Sequence, residues 1–375
     1  KNQYYILRLE AIVPATNPPG PGPGPAPGPG PDPGPIYPPA PPYAPVFPPY
    51  DPGFTHPINV DTHTRIVTHA YVGGTAQVAY ISTWLPDHSY QQADLNIRQE
   101  DAWTVFGGID GSRFTVKDET RVDLAGATAL VGLARKMTHD GGTFLFGGFL
   151  EGGFFDYKVD GIDVPWVRVV GGKGKTRSFG LGLMARETFD NKLRLEASAR
   201  FGRVFNEFEA ETWFIGLGYK HDYDFAANYF GGHLGIGYTK RLNDVSTLDF
   251  VARGYLTRIG GTSSDFAEGG TIRFGSTTSK KLRGGLRYTR QSSENVFWYL
   301  GAYYEHEFDH KITATVNDEL VLGAPRLDGS TGVFEIGVET HPSRNHENFS
   351  FAFGFQGYCG ELRGISGGIR LGYEF

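Results

Sequence analysis

The chain has one cysteine, Cys359, in 375 residues. Neither an internal disulfide framework nor a cysteine-built zinc site can be assembled from it. There is no excess of positive charge. Lys and Arg number 35 against 41 Asp and Glu, a formal net charge of −6, without the basic patch or stripe of a nucleic-acid binder. No run approaches the ~18 consecutive apolar residues that a transmembrane helix needs. That excludes helical spans but not membrane strands, which are only half apolar. Proline is nearly missing after Pro57, with four in the following 318 residues, although 20 of the 24 crowd between Pro14 and Pro57. No leader opens at Lys1, which implies a leader already removed or a start within a longer protein.

What is present sorts into four zones. Residues 1–13 (KNQYYILRLEAIV) read as a strand stopped by proline. Residues 14–60 alternate Pro with Gly and small residues. With few side chains to pack and no donors on its prolines, this stretch is expected to be extended polyproline, a semi-rigid spacer at ~3.1 Å per residue. Over residues 61–100, Ile66, Val67, Ala70, Tyr71, Ala76, Ala79 and Tyr80 fit one helical face, interrupted by Gly73 and Gly74 and stopped by Pro86. From 101 to 375 the chain is rich in Gly and aromatics, and the period switches to two.

That last zone is a series of half-apolar strands. Leu193, Leu195, Ala197, Ala199 and Phe201 alternate with Arg194, Glu196, Ser198 and Arg200, and Phe349, Phe351, Phe353 and Phe355 repeat the pattern. Twelve such segments are expected, near 102–113, 120–137, 143–157, 174–188, 192–207, 225–241, 246–258, 272–290, 295–308, 329–341, 348–359 and 363–375. Every second connection is short (139–142, 190–191, 242–245, 292–295, 342–348). Among the alternate ones are long loops at 158–173, 206–224, 259–271 and 309–328. Short turns at one end, long loops at the other and an even strand number define an outer-membrane barrel.

Charge decides which face is out. The polar positions include Arg194, Glu196, Arg200, Arg253, Arg283, Arg287, Glu305, Glu307, Glu335, Glu339, Arg370 and Glu374. On a lipid face each Arg would cost ~2–4 kcal/mol at the midplane, whereas a wet lumen tolerates charges of both signs facing one another. Twelve strands also enclose more room than side chains alone can fill. The apolar face is therefore expected to meet lipid, and the charged face a pore. The last segment places Ile365, Gly367, Ile369, Leu371, Tyr373 and Phe375 on one face. A frayed polar end would be usual for a soluble domain.

GISGGIRLGYEF at 364–375 resembles the last strand of autotransporter (type V secretion) translocator barrels. So do YFGGHLGIGYTKRLND (229–244), KLRLEASARFGRVFNEF (192–208), KKLRGGLRYT (280–289), WYLGAYYEHEFD (298–309) and STGVFEIGVETHPS (330–343), in the family's order. YYILRLEAIVPATNPPGPGPG (4–24) resembles the final strand of a pertactin-like passenger followed by its linker. The resemblance implies an all-β membrane protein: a 12-stranded antiparallel barrel over 101–375, with 61–100 threading the lumen. It implies an outer-membrane anchor that exports or displays a passenger, with lipid, the barrel assembly machinery and the passenger as partners. The machinery would read Leu371, Tyr373 and Phe375. No cofactor and no nucleic acid enter, and a monomer is expected. Gly73, Gly74 and Pro86 depart from an unbroken pore helix. No Asn-Asn pair occurs there, so self-cleavage in the pore is not implied. A stand-alone porin and an outer-membrane hydrolase barrel are the rival readings.

Several motifs match chemistry by letters only. His306-Glu307-Phe308-Asp309-His310 spells a zinc-protease pattern, but that chemistry needs both histidines on one helical turn. Here the motif ends an alternating strand, which would set them ~13 Å apart. Gly364-Ile365-Ser366-Gly367-Gly368 spells a nucleophile elbow, yet strand rather than helix follows the serine. Gly171–Thr176 (GGKGKT) lacks the first glycine of a phosphate loop and reads as a flexible basic loop. Cys359 reads as structural or incidental, and His233 as a pore-lining hydrogen-bonder.

Overall fold

The computed structural model describes residues 103–375, apart from interruptions at 118–120, 161, 165–166, 215–216, 266–270, 309–312, 317–319, 323–327 and 341–347. The expected passenger strand (1–13), spacer (14–60) and lumen segment (61–100) lie outside the described residues. Twelve long strands form the main sheet: β1 (Trp103–Lys117), β2 (Arg121–His139), β3 (Gly142–Val159), β4 (Val167–Phe189), β5 (Leu193–Phe214), β6 (Leu217–Asn243), β7 (Ser246–Ile259), β8 (Thr277–Gln291), β9 (Val296–Glu307), β10 (Gly329–Thr340), β11 (Phe349–Gly360) and β12 (Leu362–Glu374). Each pairs antiparallel with its neighbours in sequence, and β1 pairs with β12 from Thr104↔Glu374 to Val116↔Leu362. The sheet is a closed barrel.

Its stagger can be counted along hydrogen-bonded rows. From Arg113 through β2–β5 the row runs Ala125, Asp156, Lys175, Glu207 and reaches Asp224 on β6. The other way round, through β12–β7, it arrives at Tyr238 on the same strand. Asp224 and Tyr238 are 14 residues apart, which is the shear of the barrel. Twelve strands with that shear tilt by roughly 40° and enclose a cylinder on the order of 24 Å across between backbones.

The two faces separate as the alternation requires. Ile109, Leu150, Leu183, Leu234, Phe334 and Ile369 point outward and exposed, within a continuous apolar band. On the other parity Glu196, Arg200, Arg253, Arg283 and Glu305 are buried. The inward face is not purely polar, however. Phe106, Leu130, Phe149, Tyr229, Tyr299 and Tyr303 are buried there too.

The short-turn end is tight. At 190–192, Lys192 has φ 69° and its N–H donates to the Phe189 carbonyl at 2.9 Å. Gly142 has φ +155°, and a Cβ there would collide with the Thr188 carbonyl, so only glycine fits.

The long-loop end corrects the sequence reading in three places. Segments 158–173 and 206–224 were expected as loops, but most of their residues continue the strands. Gly171–Thr176, expected as a flexible loop, lies within β4. The reason is visible in the cross-strand pairs: Lys175 opposes Glu207, and Glu209 opposes Lys173, so charged residues sustain a ladder beyond the apolar band. Finally, segment 272–290 is broken. Thr271–Phe274 leaves the barrel and pairs with Thr262–Asp265 and Ala314–Val316, which also pairs with Leu320–Leu322. This small sheet packs on an aromatic cluster. Phe274 lies 6.0 Å from Tyr223 and 5.1 Å from Phe225, and Phe208 stacks on Tyr157 at 6.3 Å between ring centroids.

A cation placed in the outward band tests its orientation. Leu234 is 71% exposed. Leu234→Arg is expected to lower stability in lipid vesicles by about 2–4 kcal/mol, read as the urea midpoint of the heat-modifiable folded band. An unchanged midpoint would place this face away from hydrocarbon.

Candidate functional site

The functional element of a closed barrel is its inner wall together with the strand pair that closes it. On one arc of the wall, Glu151 of β3 accepts from Arg200 of β5 (Oε2 to Nη1, 2.9 Å) and from the Tyr229 hydroxyl of β6 (Oε1, 2.7 Å). The Arg200 guanidinium also covers the Phe149 ring at 5.5 Å. Next to it, Arg253 donates through Nε to Glu196, and Arg194 lies 3.7 Å from Glu196 and 4.0 Å from Asp249. On the β8–β10 arc, Arg287 Nη2 donates to Glu339 at 2.7 Å, and Arg283 Nη1 lies 3.3 Å from Glu305. Their guanidiniums sit on aromatic rings, Arg287 over Tyr299 at 3.6 Å and Arg283 over Tyr303 at 4.1 Å. Partner and ring together offset the desolvation of a buried guanidinium.

All twelve charged residues singled out from the sequence lie on the inward parity. Arg194, Glu196 and Arg253 form one cluster, and Arg283 and Glu305 pair with each other. Arg200 and Arg287 take Glu151 and Glu339 instead. Glu307 accepts from the Ser279 hydroxyl at 2.8 Å and the Lys280 N–H at 2.7 Å. Glu335 faces Gly301 across the β9–β10 ladder, and Arg370 faces Gly108 across the β1–β12 ladder. The pairs run along the wall, between adjacent or next-but-one strands, rather than facing one another across the lumen as the sequence suggested.

Glu151 and the aromatic rings under the arginines were missed. β3 carries Phe on both parities (Phe144, Phe146, Phe149, Phe154, Phe155), so its period is blurred. The one available signal was a lone carboxylate in an otherwise apolar stretch.

The closing strand presents Leu371, Tyr373 and Phe375 on the outer surface, the Tyr373 and Phe375 rings 5.3 Å apart. The Phe375 N–H donates to the Trp103 carbonyl at 3.0 Å, so pairing continues to the last residue shown.

The letter-matched motifs take ordinary places. His306 points outward, its Nδ1 3.0 Å from the Ser330 hydroxyl, whereas Glu307 points inward. His310 lies outside the described residues. Ser366 is buried in β12 on the inner wall, across from Ser112. His233 is buried on the inner wall with Nδ1 2.5 Å from the Ser198 hydroxyl. Cys359 is a free, exposed thiol. Among the described residues no group of three His, Cys, Asp or Glu side chains is placed to hold a metal.

Beyond the apolar band, burial pushes the Tyr157 phenol well above its usual range. It accepts from Asn206 at 3.0 Å and donates to the Glu207 carbonyl at 3.2 Å. A hydrogen bond from Lys173 to Glu209 raises that ammonium's pKa. Partial burial would raise Asp123, but donors on Thr115 and Arg121 outweigh it and leave the carboxyl lowered.

The autotransporter β-domain model matches residues 102–355. The chain belongs to the autotransporter β-domain family. Solved structures agree on the fold. The β-domain of the Bordetella autotransporter BrkA superimposes with a TM-score of 0.57 at 17% identity, over 73% of this chain and 100% of that one. The translocator domain of NalP from Neisseria meningitidis gives 0.59 at 15% identity, over 82% of this chain and 98% of that one. No curated protein matches the sequence. The autotransporter barrel described here is an outer-membrane translocation unit, a transport element whose passenger is carried on the cell surface.

Removing one member of a wall cluster tests how dry that wall is. Glu151→Ala leaves Arg200 without its carboxylate and is expected to destabilise the barrel by about 3–5 kcal/mol, read by denaturant midpoint in vesicles. A loss below about 1 kcal/mol would show that lumen water solvates Arg200 unaided.

Proposed function

We propose that this barrel exports and then anchors a passenger preceding the Pro-rich stretch. Residues 61–100 lie in its lumen, residues 14–60 serve as a spacer clear of the surface, and residues 1–13 close the passenger. The observation that carries this reading is the charged inner wall of a family-typical barrel, preceded in the chain by residues 61–100 and, before them, by a Pro-rich stretch that cannot build a core of its own. Buried Arg and Glu clusters on two arcs offer partners for polar groups of a threaded chain. The Pro-rich residues reach on the order of 100 Å as polyproline.

On the same reading the unit performs no catalysis, and the lettered motifs are parts of strands. The barrel assembly machinery inserts the chain by reading Leu371, Tyr373 and Phe375, whose side chains stand on the outer surface where a membrane-side receptor can reach them. The outward apolar band contacts lipid directly, and the unit works as a monomer.

Planar-bilayer conductance separates this from a porin. Deleting residues 1–98 is expected to raise single-channel conductance severalfold, and to abolish surface display of a tag placed before Lys1. Unchanged conductance would favour an open porin.

A further inference from the structure

Five consecutive strands share a pattern at the long-loop edge of the apolar band. On β4 the last outward apolar residue is Phe179 and the next outward residue is Arg177; on β5 the first outward polar residue after Phe201 is Arg203, with the exposed Phe205 beyond it. On β7 they are Leu256 and Arg258, and on β8 Leu282 and Lys280, with Asn228 above Phe230 on the intervening β6. None of the five first polar positions is acidic. All four cations are exposed.

The register makes these cations a belt and not a scatter. Arg203 faces Phe179, Arg258 faces Phe230 and Lys280 faces Leu256, so at three of the four steps the series drops two residues along the next strand. A line level with the membrane must drop about five residues over four strands at a shear of 14. The series drops six, and therefore runs nearly parallel to the membrane plane.

The belt also has an apolar floor. Phe179, Phe201 and Phe230 are each more than half exposed; on the long-loop side of the belt, the Arg203 guanidinium lies over the Phe205 ring at 5.5 Å. Arg177 is 4.0 Å from Glu207, a long and exposed contact that leaves its side chain 63% accessible. Such a contact is worth little in water. Acidic outward residues on these strands (Glu207, Glu209, Asp222, Asp224) lie farther from the band.

Cations one residue pair above an aromatic floor match one kind of molecule: acyl chains beneath a headgroup that carries phosphate. We propose that the β4–β8 face binds a phosphorylated lipid of the outer leaflet. Arg177, Arg203 and Arg258 engage its phosphates, and Phe179, Phe201 and Phe230 engage its chains. Bidentate guanidiniums suit this task better than lysines would. The site adds a lipid partner to the outer-membrane location and is independent of what the lumen carries.

The test uses the full chain, folded in detergent, and two lipids of identical acyl content: a bisphosphorylated glucosamine lipid and its dephosphorylated form. Bound lipid is counted by native mass spectrometry. Wild type is expected to retain the phosphorylated lipid at least tenfold better than the dephosphorylated one, with retention falling as salt rises. The triple variant R177Q/R203Q/R258Q is expected to lose that preference while keeping its heat-modifiable mobility, which certifies folding. R241Q, at the opposite end of the barrel, is expected to behave as wild type. Equal retention of both lipids by wild type, or an undiminished preference in the folded triple variant, would overturn the proposal. An equal loss in R241Q would reduce it to nonspecific charge. Inorganic phosphate that competes fully at equimolar concentration would show an anion site with no lipid component and would also overturn it.

Discussion

Inside hydrocarbon there is no water to satisfy an unpaired N–H or C=O, so every backbone group of a spanning strand must find its partner in the protein. The β1–β12 ladder, thirteen residue pairs long, meets that requirement by turning an open sheet with two bare edges into a barrel with none. The rest of the structure follows from closure. With twelve strands the ladder can close only with a fixed stagger, here 14 residues, and the stagger sets the tilt and the width. The width leaves an interior that must be lined by something other than one packed core. The tilt decides which residues of neighbouring strands share a level in the membrane.

The lining mixes two chemistries. Arginines are held between a carboxylate and a ring, as Arg200 is by Glu151 and Phe149, and Arg287 by Glu339 and Tyr299. These ion pairs join residues of the wall itself, on strands that are next-but-one neighbours around the barrel. At the long-loop end the chemistry changes to stacked aromatics around Tyr223 and Phe274, which hold a small sheet drawn from two loops. The strands there run on past the apolar band because cross-strand Lys–Glu pairs replace lipid contact as the reason for outward side chains to be where they are.

Alternation made the barrel strands and their outward face readable. Leu193–Phe201 shows why: one parity is uniformly apolar and the other polar, so there is only one way to place it against lipid. The charged residues on that polar parity were readable for the same reason. Three things were not. The extensions of β5 and β6 into 206–224 looked like loops because their outward residues are charged, and only the opposing strand reveals that the charges are paired. The strands Thr262–Asp265 and Ala314–Val316 are too short to show a period at all. Glu151 and the inward aromatics sit on strands with large apolar residues on both faces, where the period of two vanishes and position is decided by register alone. Register is a property of pairs of strands, and no single segment carries it.

The claim on which everything rests is that hydrocarbon wets the outward face, and site-directed spin labelling reads this directly. With Cys359 replaced by Ser, single labels would be placed in turn at positions 195–201 of the vesicle-embedded protein. Oxygen, which concentrates in hydrocarbon, is expected to relax the labels at 195, 197, 199 and 201 strongly and those at 196, 198 and 200 weakly. Accessibility without that alternation, or with its phase reversed, would contradict the account.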